Sequence, residues 1–495
     1  MAELADLDAW ELIELFGSGE ASPTESLMSH LGRIDRLDPK VGAVLTLCWE
    51  TALAQAEEST KRWKAGEARL LEGVPYGLKD IIETAGIRTT GGSLMYEDHI
   101  PINDAAVARR LAEAGGIMVA KLQTFEFASG VNAVTSNPWD LDRNAAGSSS
   151  GSGAAVAARE LPITIGTDTG GSVAIPASFV GIAGMKATFG RVPRSGVFPL
   201  SWTLDHIGPM ARSAHDIALA LRAISGQDDE DPSSSSAYVP DYAASLKRDM
   251  STLKVGVPTD WFFDIIHPGV DQGTRDAIAV FESAGAKISE FPLPSSKLID
   301  LHAMELTIIK SEAASLHTPH MANYGKLGPE FQQVMARAQG HNAVDYLNAL
   351  RARHLVQLDF GAAFDEVDIV IVPGAITVAP RHDHLVAELG DSQRPWVDVV
   401  SRSTAIFNLT GLPSLSIPSG FSDGLPIGIQ IVGRPFDEAG VLAAAFGYQQ
   451  LTDHHKKMPA LVAEDSKGPH PAWDRDNRQV PDQYPVRTVT LDSTW

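Results

Sequence analysis

The sequence predicts an α/β fold, a large mixed β-sheet covered by helices on both faces. Three observations carry that expectation. The helix-like stretch Ala105 to Ala114 stops at Gly115-Gly116 and leads directly into the apolar run Ile117-Met118-Val119-Ala120. The helix-like run Ala154 to Ala158 is likewise followed by strand-like Ile163-Thr164-Ile165. Further on, Val367 to Pro373 is a β-branched run halted by its proline. Helices alternating with short apolar strands bury their faces as stacked layers.

Taken in chain order, the first clear element is a helix starting at Ser22-Pro23-Thr24-Glu25. The serine caps it, proline suits its first position, and the glutamate three residues on completes a capping box. Leu27, Leu31 and Ile34 then share one face by helical spacing. The second helix and its strand end at Lys121. Gln227 to Ser236 is acidic and serine-rich with no apolar residue, which predicts a solvated loop on the surface of one domain. From Lys467 onward Pro, Asp and Arg dominate without periodicity, so about 467–495 is expected to run as an extended tail along the surface. No internal repeat is visible.

At 495 residues and 44% hydrophobic the chain can bury a large core. A formal charge of −22, with no basic stripe, argues against direct binding of a nucleic-acid backbone. The single cysteine, Cys48, excludes an internal disulfide framework and reads as a small buried apolar residue. The first ten residues hold three acids and no basic region followed by an apolar run, so no signal peptide is expected. No stretch reaches the roughly 18 uninterrupted apolar residues of a membrane span. The expectation is a soluble, cytoplasmic protein with no membrane partner.

Two serine-glycine clusters hold the chemistry. Gly147-Ser148-Ser149-Ser150-Gly151-Ser152-Gly153 and Gly166-Thr167-Asp168-Thr169-Gly170-Gly171-Ser172 flank the helix-strand pair at 154–165. A flexible linker would be polar throughout, whereas these small residues enclose apolar structure and let backbone N–H groups approach a ligand closely. Lys79 lies in Gly73-Val74-Pro75-Tyr76-Gly77-Leu78-Lys79-Asp80, 69 residues before Ser148, and Ser172 follows Ser148 by 24. In this order and spacing the chain resembles the amidase signature family. Gly184 to Val192, Leu204 to Arg212, Asn408 to Pro413 and Asp423 to Gln430 also resemble its motifs, so the resemblance covers most of the chain.

The resemblance implies the amidase signature fold as a single domain over 1–495, with about 251–400, the least family-like stretch, supplying variable substrate-specificity helices. It implies Ser172 as nucleophile, Ser148, preceded by a cis peptide bond, as bridging serine, and Lys79 as base. It assigns the oxyanion hole to backbone N–H groups of Thr169, Gly170, Gly171 and Ser172. Residue chemistry agrees: a serine hydroxyl needs a base within reach, and the apolar neighbours Val74, Leu78, Ile81 and Ile82 would hold Lys79 neutral by desolvation. Asp168 is expected to orient the glycine loop, and Ser149 and Ser150 to cap a helix or act as supporting donors. No metal or cofactor is required: His382-Asp383-His384 lacks a third ligand and reads as a surface loop.

Gly147 to Gly151 also fits the G-x-S-x-G elbow of α/β-hydrolases, with Ser149 as nucleophile. That elbow follows a strand, and Asn137 to Asn144 reads as a loop. Gly151 and Gly153 lack the third glycine of a dinucleotide site. The expected reaction is hydrolysis of a small-molecule amide, anilide or carbamate, with Phe125 and Trp202 as substrate-binding aromatics and a homodimer suggested by the family. The alternative is the glutamine-hydrolysing A subunit of a tRNA-dependent amidotransferase. Ala174 stands where many members carry arginine, which removes a fixed cation near the nucleophile.

Overall fold

The computed structural model describes residues 3–130, 134–467, 470 and 472–487. Eleven strands form one sheet, and seven helices pack around it near the site or carry its residues. The strands are β1 (Val44–Leu47), β2 (Pro75–Lys79), β3 (Ile117–Leu122), β4 (Ile163–Asp168), β5 (Ala183–Lys186), β6 (His206–Ala211), β7 (Lys254–Pro258), β8 (Lys287–Phe291), β9 (Ile369–Pro373), β10 (Ser414–Ser422) and β11 (Leu425–Gly433). The helices are α1 (Pro23–Val41), α2 (Ala106–Glu113), α3 (Ser150–Ala157), α4 (Ala174–Val180), α5 (Leu301–His317), α6 (Ala343–Glu366) and α7 (Ala405–Thr410).

Across the sheet the order is β1-β3-β2-β4-β6-β5-β10-β11-β9-β7-β8. The β2 strand runs parallel to both β3 and β4, β4 is antiparallel to β6, and β7 is parallel to β8 and β9. The sheet is therefore mixed, as the sequence predicts. Alternation along β3 explains its two covered faces: Ile117 and Val119 join Leu27, Leu31 and Ile34 of α1, whereas Met118 joins Val107 and Leu111 of α2.

The predicted helices fall where expected, but Asn137 to Asn144, read as a loop, holds most of a short antiparallel strand pair, Ser136–Asn137 with Asp140–Asn144, so the absence of a preceding strand does not itself exclude the elbow reading. Ser22 and Glu25 make a reciprocal capping box at the start of α1, and α2 spans all but the ends of its predicted stretch. One difference concerns the first glycine cluster, of which Ser150 to Gly153 is the opening turn of α3. These small residues are buried there because a side chain at Gly151 would overlap the backbone of Ala43 and Gln123.

Two further regions differ from expectation. Residues 251–400 supply three sheet strands, β7 to β9, besides α5 and α6. The acidic loop at 227–236 is not wholly solvated: Asp231 is buried, with its Oδ2 accepting from Arg194 N at 2.8 Å and its Oδ1 from Ser233 N at 2.9 Å. The described part of the tail buries Trp473 and Val480 and pairs with the sheet edge. Leu47 N donates to Asp482 O and Tyr484 N to Leu45 O, each at 2.8 Å, so the tail runs beside β1. Residues 468, 469, 471 and 488–495 of the predicted tail lie outside the described residues. Among the described residues no helix is long and apolar enough to cross a membrane.

Candidate active site

Parallel pairing of β2 with β4 places Leu78 opposite Ile165, so the ends of both strands emerge side by side. Lys79 closes β2, is fully buried, and donates from Nζ to Ser148 Oγ and to Thr167 Oγ1, each at 2.7 Å. Burial lowers the Lys79 pKa to about 7, and the charges of Asp168 and Asp205 pull the other way without restoring it. A substantial share of Lys79 is therefore unprotonated near neutral pH.

Ser148 follows a cis Gly147–Ser148 peptide. The Phe125 ring packs where a Gly147 side chain would stand, and Phe125 N donates to Ser148 O at 3.2 Å. Ser149 Oγ donates to Thr167 O at 3.0 Å and accepts from Thr167 N at 3.2 Å. It stitches the start of α3 to β4, which occupies the hydroxyl that the elbow reading needs. Ser150 Oγ lies 3.2 Å from Thr135 Oγ1. Both serines therefore have the supporting roles expected of them.

Ser172 sits half-buried between β4 and α4, and its hydroxyl has no hydrogen-bond partner among the described residues. Asp168, at the end of β4, shapes the intervening turn. Its Oδ1 accepts from Gly171 N at 2.8 Å and from Asn408 Nδ2 at 2.8 Å, and its Oδ2 accepts from Val173 N at 2.7 Å. Asn408, from α7, also donates to Asp168 O at 3.0 Å, and Thr404 Oγ1 donates to Gly170 O at 2.6 Å. Gly171 has φ +123 and a side chain there would overlap Thr404, so glycine is required.

The Asp168 bond corrects one expected role. The Gly171 N–H is already donated to a carboxylate, so it is not a free donor for an oxyanion. Spacing in the sequence cannot reveal which way a turn amide points.

A cavity of about 230 Å³ opens beside these residues, lined by Ile81, Thr167, Thr169, Phe198, Trp202 and Asp205, among others. Asp205 accepts from Thr169 Oγ1 at 2.6 Å and from Leu200 N and Ser201 N at 2.9 Å. Burial pushes its carboxyl pKa up against those bonds. Trp202 lies in this wall, 57% exposed, with the Arg194 guanidinium 5.5 Å from its ring. Phe125 is absent from the wall: at 3% exposure it packs behind Gly147, so its expected substrate contact is corrected to support of the Ser148 backbone.

Thr167, Asn408, Thr404 and Asp205 carry roles that the sequence did not predict, although Thr167 lies in the second glycine cluster and Asn408 and Asp205 in family-like motifs. Glu305, on α5, had no signal. A side chain at Gly170 would overlap its Oε1.

The Amidase family profile matches residues 25–442. The chain is 38% identical over 496 residues to the A subunit of glutamyl-tRNA(Gln) amidotransferase from Roseiflexus sp. (strain RS-1), covering 94% of this chain and all of that protein. It is 39% identical to the protein of the same name from Moorella thermoacetica, covering 93% of this chain and 99% of that one. Among solved structures it is similar to a peptide amidase in complex with the competitive inhibitor chymostatin, with TM-score 0.78, 30% identity and coverage of 90% and 97%.

These relatives correct one expectation. A small-molecule partner without nucleic acid, at most in a homodimer, does not stand beside end-to-end similarity to proteins named as subunits of a tRNA-linked enzyme. The charge of −22 describes this chain alone and says nothing about what another protein in a complex holds. With its motifs, its mixed eleven-stranded sheet and a profile match over most of its length, the chain belongs to the amidase signature family, enzymes that hydrolyse carbon–nitrogen bonds.

Proposed function

We propose that the chain hydrolyses a primary carboxamide through an acyl-enzyme on Ser172, and that it does so as the glutamine-hydrolysing A subunit of a tRNA-dependent amidotransferase. The observation that carries the chemistry is the buried pair Lys79 and Ser148 at 2.7 Å, with Ser172 half-buried on the turn that follows β4, the strand whose Thr167 also binds Lys79. Neutral Lys79 accepts a proton from Ser148 Oγ as Ser148 takes one from Ser172 Oγ. Ser172 then attacks the amide carbon. The developing oxyanion meets the N–H groups of the turn, Gly170 and Ser172 being better placed than Gly171, whose N–H serves Asp168. The proton returns through Ser148 to the departing nitrogen, ammonia leaves, and water hydrolyses the ester by the same relay.

Assignment to an amidotransferase rests on full-length similarity at 38 and 39% identity to A subunits. A second reading, an independent amidase acting on amides, anilides or carbamates, is supported by one feature of the site. Ala174 offers no cation for a substrate carboxylate, and Ile81, Phe198 and Trp202 make the nearby cavity largely apolar. The test is ammonia release from glutamine and from neutral amides, anilides and carbamates, by the purified chain and by the chain mixed with the partner subunits of a related amidotransferase. Glutamine hydrolysis enhanced by partners supports the first reading; turnover of neutral substrates alone, indifferent to partners, supports the second. Activity surviving Ser172→Ala would overturn the mechanism under both.

A further inference from the structure

Glu305 is 1% exposed, and its Oε2 is buried without a hydrogen-bond partner among the described residues. Its Oε1 faces the Gly170 Cα, where the absence of a side chain leaves room for it, two residues before the nucleophile. A carboxyl group buried without partners costs stability, so its retention calls for a partner that arrives from outside.

The neighbours do not supply that partner. His302 Nδ1 is 3.5 Å from Oε2, beyond a good hydrogen bond, and burial lowers the His302 pKa, keeping the ring neutral. Lys310 acts on Glu305 only through its field. Asp168 adds negative charge from the other side of the turn, and its own oxygens are occupied by Gly171, Val173 and Asn408. Position 174 carries a methyl group, so the nucleophile turn has acids on two sides and no fixed cation at that helix start.

From this arrangement, and resting on the acyl-enzyme reading of Ser172, we infer that Glu305 is a specificity-determining residue that selects amides whose acyl part bears a primary amine, taking the ammonium group at Oε1. Burial pushes the Glu305 carboxyl up to about 8. An incoming ammonium favours the carboxylate and gives it the charge-assisted hydrogen bonds that the protein lacks. Glutamine belongs to this class of substrate, as do shorter amino-acyl amides.

The test uses a size-matched pair, 4-aminobutyramide and pentanamide, in which a methyl group replaces the amine. Calorimetric binding to the full-length Ser172→Ala chain measures preference without turnover. The expected preference for 4-aminobutyramide is about tenfold or more, the ratio expected of one charge-assisted hydrogen bond, and it collapses toward one in Ser172→Ala/Glu305→Gln. Equal binding of both amides to Ser172→Ala, binding of neither, or a preference that persists in the double variant would each overturn the inference. Because Ser172→Ala retains Glu305, the result does not depend on whether the Glu305 variant folds. Turnover by the wild-type chain is measured separately, so a failed acyl-enzyme reading is told apart from a failed specificity residue.

Discussion

Lys79 Nζ and Ser148 Oγ, both on buried residues, meet at 2.7 Å, and Thr167 Oγ1 holds the same nitrogen at the same distance. Among the described residues two hydroxyls and no carboxylate hydrogen-bond this amine. Neutral partners do little to favour an ammonium, so burial sets its protonation. Lys79→Met is expected to lower kcat/KM by about 10²–10⁴, the usual contribution of a positioned base, while thermal unfolding shows the fold intact. Steady-state kinetics beside a melting curve checks both halves, and near-wild-type turnover would remove Lys79 from the mechanism.

The pH dependence has a definite sign. The base acts when unprotonated, and burial lowers the Lys79 pKa to about 7. Activity is therefore expected to rise from pH 6 to pH 8 and to level off above it, where an ordinary lysine would still be protonated until about pH 10. A profile of kcat/KM between pH 5.5 and 9.5 locates the limb; a curve still climbing at pH 9.5 would contradict the desolvated site.

Asp168→Asn tests the turn rather than the reaction. Either orientation of the amide points an NH₂ at a backbone donor, Gly171 N or Val173 N. Loss of about 1–3 kcal/mol of stability is expected, the range for a buried donor left unsatisfied, together with a fall in kcat. Denaturant unfolding measures the first and turnover the second. Full activity in a destabilised protein would show that the turn tolerates rearrangement.

The two aromatics offered by the sequence are expected to behave differently. Phe125→Ala leaves a hole behind Gly147 and should cost about 3–5 kcal/mol, without reordering substrates by acyl size. Trp202→Ala, in the cavity wall, should leave stability within about 0.5 kcal/mol but change the relative kcat/KM of bulky and small amides. A common amide panel with both variants separates the roles, and an unchanged ranking in Trp202→Ala would take that residue out of substrate selection.

Much of the site was legible because its residues cluster locally. Ser148, Ser172 and Asp168 lie within 25 residues, and small residues in such density have few uses other than close backbone approach. Lys79 needed family resemblance, since an isolated lysine among apolar residues commonly extends to the surface. Asn408 stands within a family-like motif, yet its bond to Asp168 spans 240 positions and depends on how α7 packs against the end of β4. The Asp231 and Arg194 pairing stayed hidden because an acidic serine-rich segment carries no periodicity showing which acid turns inward. Glu305 was invisible for a related reason: its distinction lies in what fails to contact it, which a one-dimensional pattern does not record.

The course of residues 482–484 beside β1 bears on solubility as well as architecture. The β1 strand is the last in the sheet on its side, and such an edge otherwise presents open backbone donors and acceptors to any extended peptide. By bonding to Leu45 and Leu47, the tail covers backbone groups that the edge would otherwise leave open. A chain shortened to residue 467 should keep its active-site residues and yet aggregate on concentration.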